Sequence, residues 1–594
     1  MKDDKKKKFG SFKDLLGALG GADEPAEAKA GDSPPAAPEP DAAPIDDPTE
    51  DYRGPARLIF GGRPSAFGPM DHGPAFYQNT DSEEMVILAS FRARTVFPDD
   101  VMKEAALLPR DPRPEDFEGV PWREDFRNER IFTIDGDDAK DFDDAISIKK
   151  HEDGYTVGVH IADVSHYVRP GTAINAEAMT RATSVYVPDQ VIPMLPEALS
   201  NHLCSLNPEV PRLAFSVIME YDLKGKRKTF SIMKSVIRSM RRCTYRGVQE
   251  LLDGKTTEAS VRLADLEPDL RLFAEWTKLQ QADRDRRGSM RMQTGERKFR
   301  FDPAGEVIGV YQAATYFSQA LIEETALAAN QTVGDFFKFQ GLPTIYRIHP
   351  EKDQEELEKT IEMLEKYGVR VPKKDRLTGR DIGEMIRYAR RQKNAEALTA
   401  RIMGLVERAV YEVRRHDDTA EHFGLATEHY LHFTSPIRRY PDLIVHRMLF
   451  DLLQRGEEAK KEITSFEALA DLTDVASHAS QQADVADMIE SAIDDLKVCQ
   501  YMEPRIGDPL AANVVRVSSY GIEVQLKDEY ITGFLPAKSL GVVVSCDGPT
   551  LTIRSGRFAK TFREGDPIDV AVQAVDFVRL RVLFELVEPK KGPK

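Results

Sequence analysis

Apolar and polar positions along the chain divide it into regions of different periodicity. Phe9, Phe12, Leu15, Leu16 and Leu19 fall at helical spacing. They precede a stretch over 20–50 that is rich in Ala, Pro, Asp and Glu and has too little apolar surface to order itself. Residues 1–50 are therefore read as a disordered acidic tail with a short amphipathic helix over 9–19, suited to a protein partner. A weakly structured terminus is the alternative reading. Residues 51–125 mix short β-like runs, Ala56 to Phe60 and Met85 to Phe91, with Gly and Pro, and predict a small β-rich lead-in module.

From Ile131 to about Met502, strand and helix periods alternate. Ala145 to Lys150 and Tyr155 to Ala162 alternate about a turn at Asp153–Gly154, which predicts a hairpin. Helices are predicted over Phe317 to Phe337 and Asp353 to Tyr367. From Arg505 to Glu588 the pattern changes. Short β runs (Ala512 to Val517, Gly521 to Leu526, Ile568 to Val575, Arg579 to Phe584) stand between Gly and charged turns, as in a small five-stranded barrel. The fold class expected is multidomain α+β: lead-in module, a domain over 126–502 with a mixed sheet and surrounding helices, and a barrel over 505–588.

Length and composition fit this division. A chain of 594 residues needs several cores, and 41% apolar residues suffice to build them. No apolar run approaches the ~20 residues that cross a bilayer. The lysines at 5–8 are followed by neither the apolar core nor the cleavage site of a signal peptide. A cytoplasmic protein without membrane contact is the expectation. Cys204, Cys243, Cys499 and Cys546 are too scattered for a zinc ribbon or a disulfide framework, and are read as buried small hydrophobes.

The net charge of −17 speaks against a nucleic-acid partner, since phosphate binding draws on cations. Residues 1–50, however, hold twelve acids and seven bases, so five of the excess charges belong to the tail. A local basic channel remains compatible with the rest.

The most informative segment is Thr133-Ile134-Asp135-Gly136-Asp137-Asp138-Ala139-Lys140-Asp141-Phe142-Asp143-Asp144-Ala145. It holds six carboxylates and one lysine within the ten residues 135–144, between apolar strands that pull it onto a core. Crowded acids repel, and burial raises that cost unless cations compensate. Hard divalent ions with oxygen ligands are one solution. Two of them some ~4 Å apart can activate water and steady the leaving oxygen of a phosphodiester. Convergence requires the loop to fold back, for which Gly136 offers freedom. A solvated acidic loop is the bland alternative. A calcium loop fits poorly, because Lys140 stands where the turn glycine belongs and no Glu closes the loop.

A second constellation is His432-Phe433-Thr434-Ser435-Pro436-Ile437-Arg438-Arg439-Tyr440-Pro441-Asp442-Leu443. Pro441 suits the first turn of a helix, which places Arg438 and Arg439 just before it. There they could hold a phosphate together with the helix N–H groups, or simply cap a surface helix. An acidic loop and an arginine turn together are what phosphoryl chemistry requires.

At these residues the sequence resembles the ribonuclease II/ribonuclease R (RNB) family, over roughly Phe126 to Met502 plus the C-terminal barrel. The motifs stand here as TIDGDDAKDFDDA (133–145), HIADVSHYV (160–168), VYVPDQVIPMLPEALSNHLCSLNP (185–208), YRIHP (346–350) and HFTSPIRRYPDLIVHR (432–447). The resemblance implies an RNB catalytic domain followed by an S1-type oligonucleotide-binding barrel. It also implies hydrolytic, metal-dependent 3′→5′ degradation of single-stranded RNA from a free 3′ end, releasing 5′-monophosphates, with Mg²⁺ as the metal and Mn²⁺ as its substitute. A monomer is expected.

Residue by residue, the resemblance matches Asp135, Asp141, Asp143 and Asp144 to the family's metal-holding active-site aspartates, with Asp141 and Asp143 counted as catalytic. It matches Arg438 to the arginine on the scissile phosphate. Arg439 beside it is counted with the RNA contacts. Tyr245 matches a tyrosine stacked on the terminal base, Tyr186 an aromatic further up the RNA path, and Glu490 a glutamate near the terminal nucleotide. Read from its own surroundings, Glu490 is only an acid on an amphipathic helix. Met292 stands where the family often has a clamping phenylalanine, which implies a looser grip. In the barrel, Tyr520 and Phe534 are stacking candidates, with Arg516 and Lys538 as phosphate partners. For either aromatic, a packing role is the alternative. His160, Asp163 and His166 are rejected as metal ligands, because strand geometry alternates their faces.

The sequence departs from the family in front of the catalytic domain. Members usually carry two cold-shock barrels there, and residues 51–125 leave room for one degenerate copy at most. Two rivals to the exoribonuclease remain. One is a non-catalytic RNA scaffold, which should have lost an aspartate or the arginine. The other is an endonuclease or DNA-directed hydrolase, distinguished by its products.

Overall fold

The computed structural model describes residues 81–587 apart from 290–295, 373, 375–376, 416–420 and 557. The expectations for residues 1–50, the helix over 9–19, the run Ala56 to Phe60 and Met292 lie outside the described residues.

The described part of the lead-in region is helical rather than β-rich. Met85 to Phe91 lies in a helix, Ser82–Ser90, capped by the Asp81 carboxylate, which accepts from Glu83 N at 2.9 Å. A seven-residue, mostly apolar run fits helix or strand, and the cap with two acids in the first turn decides for helix. Ile87 and Leu88 pack toward the long helix Phe466–Met502. Lys497 of that helix, 3% exposed, bridges Asp81 at 3.0 Å and Glu84 at 2.5 Å. A second helix, Asp99–Ala106, follows. The short strand Arg123–Asp125 then joins the main sheet.

That sheet has five strands in the order Arg123–Asp125, Arg227–Arg238, Pro211–Asp222, Gly154–Ala162, Asp144–His151. The first pair is parallel and the others antiparallel, so the sheet is mixed. The predicted hairpin is present. Its turn glycine, Gly154, lies so close to the neighbouring strand that a Cβ would stand 1.7 Å from Tyr221 O. Helices Glu267–Arg287, Phe317–Phe339 and Tyr440–Arg455 contribute to the core around the sheet, which includes the fully buried Phe132, Phe215, Phe273 and Trp276.

The predicted helix from Phe317 ends at Phe339, and the one at 353 runs Gln354–Lys366 with Asp353 as its cap. The latter opens an unforeseen helical subdomain with Gly379–Ala389 and Ala395–Met403, whose own core includes Leu364, Ile382, Met385 and Leu398. The helix Phe466–Met502 is 37 residues long.

The C-terminal strands Pro509–Ser518, Gly521–Leu526, Thr532–Pro536, Pro567–Asp576 and Arg581–Leu586 form a closed barrel, as predicted. A further three-stranded sheet over 542–563 was not foreseen. The helical subdomain docks on the barrel through Arg401, whose Nη2 meets the wholly buried Glu564 at 2.6 Å. The same carboxylate accepts from Val517 N at 3.2 Å and Asn394 Nδ2 at 3.3 Å. Cys204, Cys243 and Cys499 are buried, whereas Cys546 is exposed, contrary to expectation, because its short sheet lies outside the barrel. No described helix is long and apolar enough to cross a membrane.

Candidate active site

The acidic loop is pinned at both ends by strands. Thr133–Asp135 pairs in parallel with Arg242–Thr244, setting Asp135 beside Thr244. Asp144 opens the hairpin strand opposite Ile161, and Asp143 O accepts from Ala162 N at 2.9 Å. Between these ends the backbone is tied down from outside. Ser205 Oγ accepts from Phe142 N at 3.0 Å and donates to Lys140 O at 2.7 Å, while Leu206 N donates to Phe142 O. Arg242 donates to the carbonyls of Gly136 and Asp137. Phe142, 5% exposed, anchors the loop in the core. Gly136 is not in the left-handed region and a Cβ there would meet nothing, so the fold-back rests on these ties rather than on the glycine.

The arginine turn meets the loop face on. Asp143 Oδ1 accepts from Ile437 N at 2.9 Å, and Arg438 Nε lies 3.7 Å from Asp143 Oδ2. Asp143 is buried, while the Arg438 side chain is 41% exposed. Arg438 Nη2 also donates to Ser435 Oγ at 3.1 Å. Arg439 is held differently: its Nε and Nη2 grip the buried Asp442 at 3.0 and 2.8 Å. Asp442 Oδ1 also accepts from Ser435 N at 2.8 Å, so this carboxylate shapes the turn that presents Arg438. The Nε and Nη2 edge of Arg439, expected among the RNA contacts, is engaged by Asp442.

Tyr186 reaches the carboxylates. Its hydroxyl donates to Asp141 Oδ2 at 3.2 Å, and its backbone N donates to Glu490 Oε1 at 2.7 Å. Glu490 thus comes to the site from the long helix. Tyr245 is the first residue of helix Tyr245–Leu252, capped by Thr244, which sets it next to Asp135 through the parallel pair. Burial and the nearby Asp144 and Asp135 hold its phenol above the usual range.

In the barrel, Phe534 is buried against Ala574 and Leu583 with Arg581 over its ring, and therefore packs rather than stacks on a base. Inward or outward parity on that strand decided this. Tyr520 remains 38% exposed at a turn. Arg516 is paired with Glu523, and Lys538 is exposed in the short helix Ala537–Leu540. The rejected trio have their own partners: His160 lies between Ser147 and Ser216, Asp163 between Arg123 and Lys234, and His166 beside Asp116.

The electrostatics of the cluster are unbalanced. Burial, and then the neighbouring carboxylates, push Asp135 well above the ordinary aspartate range. Burial likewise raises Asp143, against the opposing pull of Arg438 and the Ile437 N–H, and raises Asp144 against Arg438 and Arg439. Burial takes Glu490 up to about 7 despite its bond from Tyr186 N. Asp135 Oδ2 is buried without a hydrogen-bond partner. Among the described residues, no three His, Cys, Asp or Glu side chains close into a coordination set. The carboxylates converge, and an orphaned oxygen together with uncompensated buried charge fits a cationic occupant.

These shifts predict a pH-dependent response to metal. Because the folded pKa values are raised, the protonated carboxyls favour the fold below 3.8, and that contribution is lost as pH rises through the raised values. Each titrating group changes stability by roughly 1.4 kcal/mol per pH unit across its own window. The gain in melting temperature on adding Mg²⁺ to EDTA-treated protein should be larger near pH ~8 than near pH ~6. Calorimetry at the two pH values checks this, and an equal or reversed increment would rule out carboxylates titrating at the binding site.

The RNB domain model matches residues 123–455, and the S1 RNA binding domain model matches 503–586.

The chain belongs to the RNB family.

It is similar to ribonuclease R of Aquifex aeolicus, at 37% identity over 85% of this chain and 70% of that protein. Similarity to ribonuclease R of Thermotoga maritima is 35%, over 83% of this chain and 68% of that one. Among solved structures, the apo form of Mycoplasma genitalium RNase R superposes with a TM-score of 0.75 at 25% identity, covering 86% of this chain and 79% of that one. The RNB chain described here is an exoribonuclease with a C-terminal S1 domain.

The sequence reading missed Arg242, Ser205 and Asp442. Asp442 carried a signal, an acid in the first turn of a helix three residues after Arg439. The carbonyls that Arg242 holds lie more than a hundred residues earlier in the chain, so no local pattern marked it.

Proposed function

We propose that the chain is a metal-dependent hydrolase that degrades single-stranded RNA from its 3′ end to 5′-monophosphates in the cytoplasm. The observation that carries this reading is the crowded carboxylate cluster, with Asp143 buried at its centre, facing the half-exposed Arg438. Asp135, Asp141, Asp143 and Asp144 would hold divalent ions, with Mg²⁺ preferred for its oxygen ligands. When bound, such ions supply an activated water and neutralise charge at the phosphate. Arg438 offers its outer N–H groups to the phosphate, in the geometry that suits a guanidinium. The Ile437 N–H bond fixes the Asp143 carboxylate, and the Tyr186 hydroxyl orients Asp141. The rings of Tyr186 and Tyr245, together with Glu490, line the space where a terminal nucleotide would lie. In support, Mycoplasma genitalium RNase R has been solved in complex with ribose methylated single-stranded RNA.

The test uses purified full-length protein, 5′-labelled single-stranded RNA and Mg²⁺, with an EDTA control. Stepwise shortening from the 3′ end with released 5′-mononucleotides is expected, abolished by EDTA. Internal fragments or equal attack on DNA would replace this reading with an endonuclease or a DNA-directed hydrolase. Binding without hydrolysis would leave a scaffold.

A further inference from the structure

The antiparallel pair Arg297–Phe301 and Val307–Gln312 presents two unlike faces. Phe299, Val307 and Val310 turn inward onto the core shared by the long helix and the barrel. Lys298, Arg300 and Tyr311 share the opposite face, because Lys298 pairs with Tyr311 and Arg300 with Gly309 across the ladder. All three are exposed, Tyr311 to 45%, and the Arg300 guanidinium lies 5.8 Å from the Tyr311 ring centroid. Lys298 pairs with Glu296 at 2.6 Å, but both side chains are more than half exposed. A pair of that kind is worth little and exchanges readily for a phosphate.

The root of this pair reaches the candidate site. Arg297 Nε donates to Tyr530 O of the barrel, and Arg297 Nη1 meets Asp495 of the long helix, both at 3.1 Å. Arg297, Tyr530 and Glu490 line one cleft of about 400 Å³. Glu490 in turn holds the backbone of Tyr186. Asp487, Asp494 and Asp495 line the same cleft, so the cation–aromatic face is the positive side of an otherwise acidic rim that Glu490 ties to Tyr186.

We propose that this face is a second contact for single-stranded RNA, holding the strand several nucleotides upstream of the reacting end. Lys298 and Arg300, about 7 Å apart along one strand face, would take neighbouring phosphates of an extended chain. The exposed Tyr311 ring would take a base, and stacking of this kind tolerates any sequence. Two cations and an exposed aromatic ring on one strand face match the alternating phosphates and bases of a single strand. Gly309 opposite Arg300 leaves the surface between them flat. The proposal rests on the exoribonuclease reading and adds to it a length threshold for substrate grip.

The test is fluorescence anisotropy in EDTA with labelled oligoadenylates of about 20 and about five nucleotides, the shorter ending inside the cleft. The double variant Lys298→Gln with Arg300→Gln should weaken the long probe roughly tenfold. It should also lower the salt slope of log Kd by about 1.4, at about 0.7 per phosphate lost. Tyr311→Ala should weaken the long probe about tenfold as well, while Tyr311→Phe binds as the parent does, since the ring is kept. The short probe should shift less than about twofold in each case. Unchanged long-probe affinity would overturn the proposal, as would equal losses on both probes, which would mark a distortion of the site. Failure of the exoribonuclease reading would show separately, as intact RNA when the parental protein is given metal.

Discussion

Asp143→Asn should lower kcat on single-stranded RNA by about 10³-fold or more while RNA affinity in EDTA stays within about threefold of the parent. The side chain keeps its shape, and its oxygen can still accept from Ile437 N, so the turn that presents Arg438 is preserved. What disappears is one negative charge at the point where the loop and the turn meet. Burial already disfavours that charge, holding the carboxyl above its ordinary range. The metal-free variant should therefore melt about 2 °C higher than the metal-free parent, a stability gained at the expense of activity. Kinetics with saturating Mg²⁺ and melting curves in EDTA measure the two effects. Parental turnover by the variant would remove Asp143 from the chemistry, and a large fall in melting temperature would reduce its role to folding.

Arg438→Ala should cost about 10²–10³-fold in kcat, the loss typical of a preorganised charge-stabilising group. Arg438→Lys should recover only part of it, because an ammonium is a point charge without the planar fork. Arg438 is 41% exposed and its nearest carboxylate is 3.7 Å away, so little of the fold depends on it. The melting temperature should stay within about 1–2 °C of the parent. The losses of Asp143→Asn and Arg438→Ala should not add, since the two side chains face one another at one reacting centre. A full additive loss in the double variant would mean that they serve different steps.

The contrast between Arg438 and Arg439 shows where the sequence was legible. The crowding of acids between two apolar runs was visible in the chain, and so was an arginine pair before a proline-started helix. Which arginine faces the acids was not visible, because Arg439 is captured by Asp442 within its own helical turn. Barrel parity was hidden for a similar reason. Alternation predicts a strand at Phe534, but only closure of the barrel places that ring against Ala574 and Leu583. Met85 to Phe91 was ambiguous because a run of that length satisfies both periods, and the cap at Asp81 settles it. The helical subdomain beginning at Gln354 and the sheet over 542–563 add elements to a domain and a barrel whose outlines the periodicity had already given.

The buried Glu564 has a mechanical consequence. It collects donors from the helical segment and from the barrel's own strand, and its side chain is shut off from solvent. Swinging the barrel away would strand a desolvated charge, at a cost of several kcal/mol. The barrel is thus bolted to the body as a stationary collar rather than hinged as a gate.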